Sequence, residues 1–335
     1  MLKNWNIKKE QIITLITDNG ANMIAAVNKV LGKNKHTPCF AHTINLDSEA
    51  VIKHPSIEPL ISKVRNVVLW VKRSVIISDM LRKVQIDKGV AEGCVKKMIL
   101  DVKTRWNSTY YMIERFLEMV NLISPLTLQH ISSPYMPTAI EINTLKQFKE
   151  LLKPLEFVTR ESSGDKYVTI SKIIPMANCL MAQVNLLKPS EVIIQDVHDK
   201  LQAELTKRFG QIQYVTPIAI STLLDPRFKN LHFNDPNACS RAMSALRDLT
   251  RIDTSSSESE GEAPPESTYD FWAIHKELVQ SQGHKKKKTS HGNAGDELSL
   301  YLANPVMPLN SNPLEQWEDM KNIFPLLYKQ ARIHF

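Results

Sequence analysis

The sequence predicts an α/β unit at the N-terminus followed by a large all-helical part, and three observations carry that prediction. Ile12, Ile13, Leu15 and Ile16 form a short, nearly unbroken apolar run opening into Thr17-Asp18-Asn19-Gly20, the pattern of a buried strand of an α/β sheet that ends in a turn. Ala21–Leu31 follows with Met23, Val27, Val30 and Leu31 at helical spacing and Gly32 as a stop, and Thr37–His42 then begins a second short run. From Ser56 onward apolar residues recur instead at three- and four-residue steps, the spacing of buried helix stripes.

Taken in order, Ser56–Gln85 reads as one long helix, with Ile57, Leu60, Ile61, Val64, Val67, Val68, Val71 and Val75 as its buried stripe. Its Lys63, Arg65, Lys72, Arg73, Arg82 and Lys83 form either a phosphate-facing surface or a plain solvated face. Asp101–Val120 starts with Thr104-Arg105-Trp106-Asn107-Ser108-Thr109 and continues as an amphipathic helix that Asn107 or Ser108 would cap. Breaks at Pro125 and at Pro134–Pro137 separate it from a helix at Ala139–Arg160. A turn at Gly164-Asp165 leads to two more helices, ending near Val184 and Phe209. Such neighbours bury their stripes against one another or against the sheet.

Tyr214–Leu224 is apolar and leads into Leu224-Asp225-Pro226-Arg227-Phe228-Lys229, a structural corner in which Asp225-Pro226 stops a helix and Asp225 can pair with Arg227. Ile252–Ser267 is acidic and Pro/Ser-rich and reads as a disordered linker; Tyr269–Val279 is a short helical piece, and a lysine run follows. The expected domains are 1–55, a partial α/β core; 56–250, the helical part; 251–311, the linker; and 312–335, a C-terminal region around Trp317.

Composition excludes several classes. No apolar run reaches the roughly 20 residues that cross a bilayer, and the N-terminus MLKNWNIKKE lacks a signal-peptide h-region. Cys39, Cys94, Cys179 and Cys239 lie far apart, which argues against a disulfide framework. The net charge of +7, 42 Lys+Arg against 35 Asp+Glu, leans weakly toward a polyanionic partner.

Four strings together carry a resemblance: TDNGANM from Thr17, CFAHTINL from Cys39, TRWNST from Thr104 and LDPRFK from Leu224. In order and spacing they resemble the hAT superfamily of DNA transposases, and most of all its domesticated relatives, the zinc finger BED domain-containing proteins. The resemblance implies an RNase H-like core interrupted by a helical insertion and followed by a dimerisation region, in a nuclear protein that associates with DNA and dimerises through its C-terminal region. In active members three carboxylates hold two divalent metals at the scissile phosphodiester. By resemblance Asp18 is the second of these acids, the metal being Mg or Mn, and His42 lies near the active site. The family's first acid and its final Glu have no counterpart here, so the chain is expected to be a middle and C-terminal portion, without a cofactor and without catalysis of its own. An active DDE-type parent and a helical interaction scaffold are the other two readings.

Each candidate also has a plainer reading. Asp18, with Asn19 and Gly20, can simply make the turn before the next helix. Cys39 and His42 form a CxxH pair, but structural zinc needs four ligands and no second pair stands in the chain; His42 is then a half-buried histidine at a strand end. By resemblance Arg105 and Trp106 grip a phosphate and stack on an unpaired base; otherwise Trp106 packs in the core and Arg105 pairs with an acid. Lys285, Lys286, Lys287 and Lys288 are either a nuclear import signal or a solubilising tract.

Overall fold

The computed structural model describes residues 8–32, 35–163, 170–250, 270–285 and 297–335. They form two compact units, one from Met1–Thr43, Arg160–Gln183 and Leu205–Phe335, the other from Ile44–Thr159 and Val184–Glu204. Helix dominates both.

In the first unit, β1 (Leu15–Thr17), α1 (Ala21–Leu31) and β2 (His36–Pro38) make a β-α-β crossover, with β1 and β2 parallel and Leu15, Ile16 and Thr17 opposite His36, Thr37 and Pro38. Gly32 ends α1 at φ 101°, where a side chain would be strained, and its N–H closes on the Asn28 carbonyl. The expected strand is present but shorter and less buried than its apolar run implies. Leu15 and Ile16 are exposed, because no strand among the described residues pairs with the far edge of β1. The second run becomes helix sooner than expected. After β2 the chain enters α2 (Phe40–Ile52), so His42 lies on a helix and not at a strand end.

The second unit is built from α3 (Glu58–Arg73), α4 (Val75–Asp87), α5 (Trp106–Gln129) and the residues of α6 (Ala139–Ser162) and α8 (Val192–Phe209) that belong to it. The predicted stripes meet in its core: Ile61, Val64 and Val68 from α3, Ile113 and Phe116 from α5, Phe148 and Leu152 from α6, and Val197 and Leu201 from α8 are all buried. Each such side chain contributes about 1.5–3 kcal/mol relative to exposure.

Two boundaries differ from expectation. The helix expected over Ser56–Gln85 is two helices, because Ser74 adopts an extended conformation and its hydroxyl accepts from the Ile77 N–H, capping α4. Pro125 does not break the chain; it sits inside α5, which runs on to Gln129.

The remaining helices of the first unit are the first-unit part of α7 (Ile173–Leu186), α9 (Thr216–Leu224), α10 (Pro236–Thr250), α11 (Ala273–Lys285), α12 (Glu297–Ala303), α13 (Pro313–Met320) and α14 (Pro325–His334). Parts of the stretch expected as a linker are therefore helical, anchored by the buried side chains of Phe271, Leu298 and Tyr301. The expected linker core Ile252–Ser267 and the turn at Gly164-Asp165 lie outside the described residues.

The LDPRFK corner organises this unit. Asp225 ends α9, and its carboxylate accepts from the Arg227 Nε (2.8 Å) and Nη2 (2.6 Å) and from the Ser171 hydroxyl (2.6 Å). Lys229, left-handed at φ 48° and buried, donates Nζ to the carbonyls of Tyr301, Asn304 and Pro305 at 2.7, 2.8 and 3.1 Å. The Tyr301 hydroxyl and the Trp317 indole N–H both donate to the Leu224 carbonyl at the end of α9. The corner that reads as plain structure in the sequence fastens α12 and α13 to α9.

Candidate nucleic-acid interface

Ligands of open α/β sheets bind beyond the carboxyl ends of parallel strands, and Asp18 occupies that position after β1. Its side chain is exposed, and Oδ1 accepts from the Gly20 N–H at 3.3 Å, a local turn closed by an aspartate. The neighbouring Asn19 donates to the Thr43 hydroxyl at 3.5 Å, while the Cys39 N–H extends the strand ladder to the Thr17 carbonyl at 2.8 Å. The turn after β1 and the start of α2 therefore stand side by side, with His42, half-buried, on the first turn of that helix. A cavity of about 290 Å³ opens beside them, lined by Asn19, Phe40, Thr43, Arg208 and Phe209. The Phe40 and Phe209 rings meet edge to face there at 5.3 Å.

This corner does not fit a two-metal centre. Among the described residues no three His, Cys, Asp or Glu side chains converge, and a two-metal site needs several carboxylates from separate elements. Asp18 and His42 share one unit; Arg105 and Trp106 belong to the other.

In that second unit the TRWNST string forms the entry to α5. Arg105 is the N-cap residue and makes no side-chain capping bond. Ser108, proposed as a cap, instead ties down the preceding loop: its hydroxyl receives the Val102 N–H at 2.7 Å and lies 2.6 Å from the Arg105 carbonyl. Trp106 is 3% exposed and its indole N–H has no hydrogen-bond partner among the described residues, so in this arrangement no indole face is open to a base. Arg105 is exposed and forms no ion pair among the described residues.

Asp101, on the same segment, is taken by Arg65 through two bonds of 2.9 and 2.6 Å, and by the Thr109 hydroxyl at 3.1 Å. Burial pushes the Asp101 carboxyl up, but the hydrogen bonds and charge of Arg65 outweigh it and hold it below the usual carboxylate range. Other cations of the α3–α4 face are also committed within the unit: Lys63 to Glu141, Arg82 to Glu92 and Lys72 to the Met98 carbonyl. That face is therefore partly committed, while its Arg73 and Lys83 are exposed and form no ion pair among the described residues. Further open cations lie on the segment leading into α5, where Lys97, Lys103 and Arg105 are all exposed. Of the lysine run, Lys285 is the last residue of α11, and Lys286, Lys287 and Lys288 lie outside the described residues.

The second unit is helical, with exposed cations on the segment leading into α5. Residues 37–151 match the ZBED1 RNase-like helical domain. Zinc finger BED domain-containing protein 4 of Homo sapiens is 24% identical over 325 residues, covering 94% of this chain and 27% of that protein. A Zea mays protein named for the AC9 transposase is 24% identical over 275 residues, covering 69% of this chain and 32% of that protein. A Talaromyces stipitatus protein named for transcriptional regulation, tpeD, is 21% identical over 368 residues, covering 96% of this chain and 40% of that protein. These matches support a hAT-derived protein of the zinc finger BED type. It spans between 27% and 40% of the lengths of these three relatives.

Proposed function

We propose that this chain is a DNA-associating part of a nuclear, transcription-regulator-like protein that dimerises. The observation that carries the reading is the run of open cations Lys97, Lys103 and Arg105 at the approach to α5, within the stretch that matches the family's helical domain. Three cations that form no ion pair among the described residues meet phosphates at little desolvation cost, and guanidinium binds phosphate bidentately. The names of the relatives, a transposase and a transcriptional regulator among them, support the nucleic-acid partner and the nuclear setting. An RNase H-like core is supported by the parallel β-α-β order and the open edge of β1, on which further strands would pair. Dimerisation through residues 312–335 is supported by the exposed apolar side chains Leu314 and Ile333 on α13 and α14.

Catalysis is not part of this reading. Asp18 stands where a metal-binding acid of the family would stand, yet the described residues supply no acids beside it, so no metal-dependent step is assigned to them. In a longer parent with the other two acids, Mg or Mn would bind at Asp18.

The test is fluorescence anisotropy with a labelled DNA duplex over a salt series. Affinity should fall linearly with salt on logarithmic axes, and the triple variant Lys97→Ala/Lys103→Ala/Arg105→Ala should weaken binding and flatten that slope by about three. Absence of binding at low salt would leave the interaction-scaffold reading in its place.

A further inference from the structure

The second unit carries an apolar groove that the DNA-binding reading does not use. It has a volume of about 610 Å³ and lies between the end of α3, the start of α4 and the segment after α5; its apolar side includes Leu69, Trp70, Ile76 and Pro134, and its polar side includes Asn66, Arg73, Ser74, His130 and Ser132. Trp70 and His130 meet edge to face at 6.0 Å. Apolar side chains continue past its rim. Val75 and Ile76, at the first turn of α4, are exposed, and Leu128, Ile131 and Tyr135 are 87%, 108% and 90% exposed. Three of them adjoin lining residues in sequence: Val75 lies between Ser74 and Ile76, Ile131 between His130 and Ser132, and Tyr135 follows Pro134. Apolar side chains so concentrated on one end of a folded unit mark a surface that another chain covers.

Charge identifies the partner's chemistry. No acidic residue lines the groove, and its one formally charged side chain is Arg73, which is exposed and forms no ion pair among the described residues. A partner that buried this groove with a purely apolar face would strand the guanidinium, whereas a carboxylate beside that face would meet it. A small molecule could fill the cavity but would leave Leu128, Ile131 and Tyr135 in water; a helix laid along the groove covers both. We infer that this groove docks an amphipathic helical segment of another protein, apolar on the contact face and carrying a carboxylate opposite Arg73.

The probes are two labelled synthetic amphipathic helices of equal leucine content, one with glutamate and one with lysine on the polar face, titrated with the whole chain by anisotropy. The glutamate helix should bind about tenfold more tightly than the lysine helix, and Arg73→Glu should reverse the order. Ile76→Ser and Ile131→Ser, both exposed positions that leave the core intact, should weaken both helices. Equal binding of the two helices, or a preference that ignores Arg73→Glu, overturns the inference. So does a wild-type dimer in sedimentation that Ile131→Ser dissolves, because the groove would then be covered by a second copy of this chain.

Discussion

The first unit contains two corners with the same local grammar: an apolar element, an aspartate, and a turn. At the first, Asp18 follows β1, is exposed, and among the described residues holds only the Gly20 N–H two residues away. At the second, Asp225 follows α9, its side chain is fully buried, and it holds Arg227 and Ser171 while Lys229 and Trp317 tie neighbouring helices to the same point. The difference lies in what each carboxylate has given up. Asp18 keeps its hydration and remains available to a partner. Asp225 has lost its water entirely, and every bond that replaced it is internal, so it is committed to the fold. The corner that looks like chemistry is loosely held, and the one that looks like punctuation organises the unit.

The largest effect should come from breaking the buried corner. Asp225→Ala leaves the Arg227 guanidinium, 3% exposed, without its counter-charge and the Ser171 hydroxyl without its acceptor. Removing one partner of a buried pair costs about 3–5 kcal/mol. Urea unfolding followed by tryptophan fluorescence should show a matching loss, because Trp317 bonds to the same corner. A loss below about 1 kcal/mol, the size of a surface substitution, would mean that the corner is held by packing and not by its polar contacts.

A smaller, pH-dependent effect sharpens the same contrast. Beside the corner, Phe228 meets the rings of His232 and His275, whose planes are within 5° of parallel and which share a 2.9 Å Nε2–Nδ1 hydrogen bond. Burial, and then the neighbouring ring, pushes His232 down to about 3; burial chiefly pushes His275 down to about 4. Both are therefore neutral in the folded state while the unfolded chain begins to bind protons near pH 6.5. Their contribution is complete above that pH and is lost as pH falls toward 4 and then 3, by up to about 1.4 kcal/mol per pH unit for each ring. In the double variant His232→Leu/His275→Leu this slope between pH 6.5 and 4 should shrink, leaving the share of groups such as His334, which burial also holds below its ordinary value. An unchanged slope would show that the two rings do not carry it.

How much of this was legible in the sequence depends on the kind of interaction. The β-α-β order, the helix stripes of the second unit and the Asp225–Arg227 pairing follow from local periodicity and residue type. The break at Ser74 was hidden because the apolar stripe runs straight across it, and only the serine hydroxyl marks the new helix start. The short β1 was overestimated because an apolar run reports burial that a neighbouring strand must supply, and no such strand is among the described residues. The loss of the α3 cations to Glu141 and Asp101 spans 78 and 36 residues, and no local pattern encodes such pairing. The same holds for Trp106, whose place in the core depends on which helices close over it. The value of Lys229 was invisible for a related reason, since its three carbonyl partners lie more than 70 residues downstream.

The smallest expected effect lies at the exposed corner. Asp18→Asn keeps an oxygen that can accept from the Gly20 N–H, and asparagine makes such turns as readily as aspartate, so stability should stay within about 0.5 kcal/mol of the native chain. A loss approaching that of Asp225→Ala would show that Asp18 is structural and would remove the reason to regard it as an available carboxylate. With stability unchanged, the substitution alters only charge, and DNA affinity then becomes a readout of what passes the corner. A phosphate backbone running by Asp18 would be repelled by the carboxylate and bound more tightly by the amide, with the gain fading as salt screens it. Affinity that is the same for both chains at every salt concentration would place the DNA away from β1 and leave the α5 approach as its site.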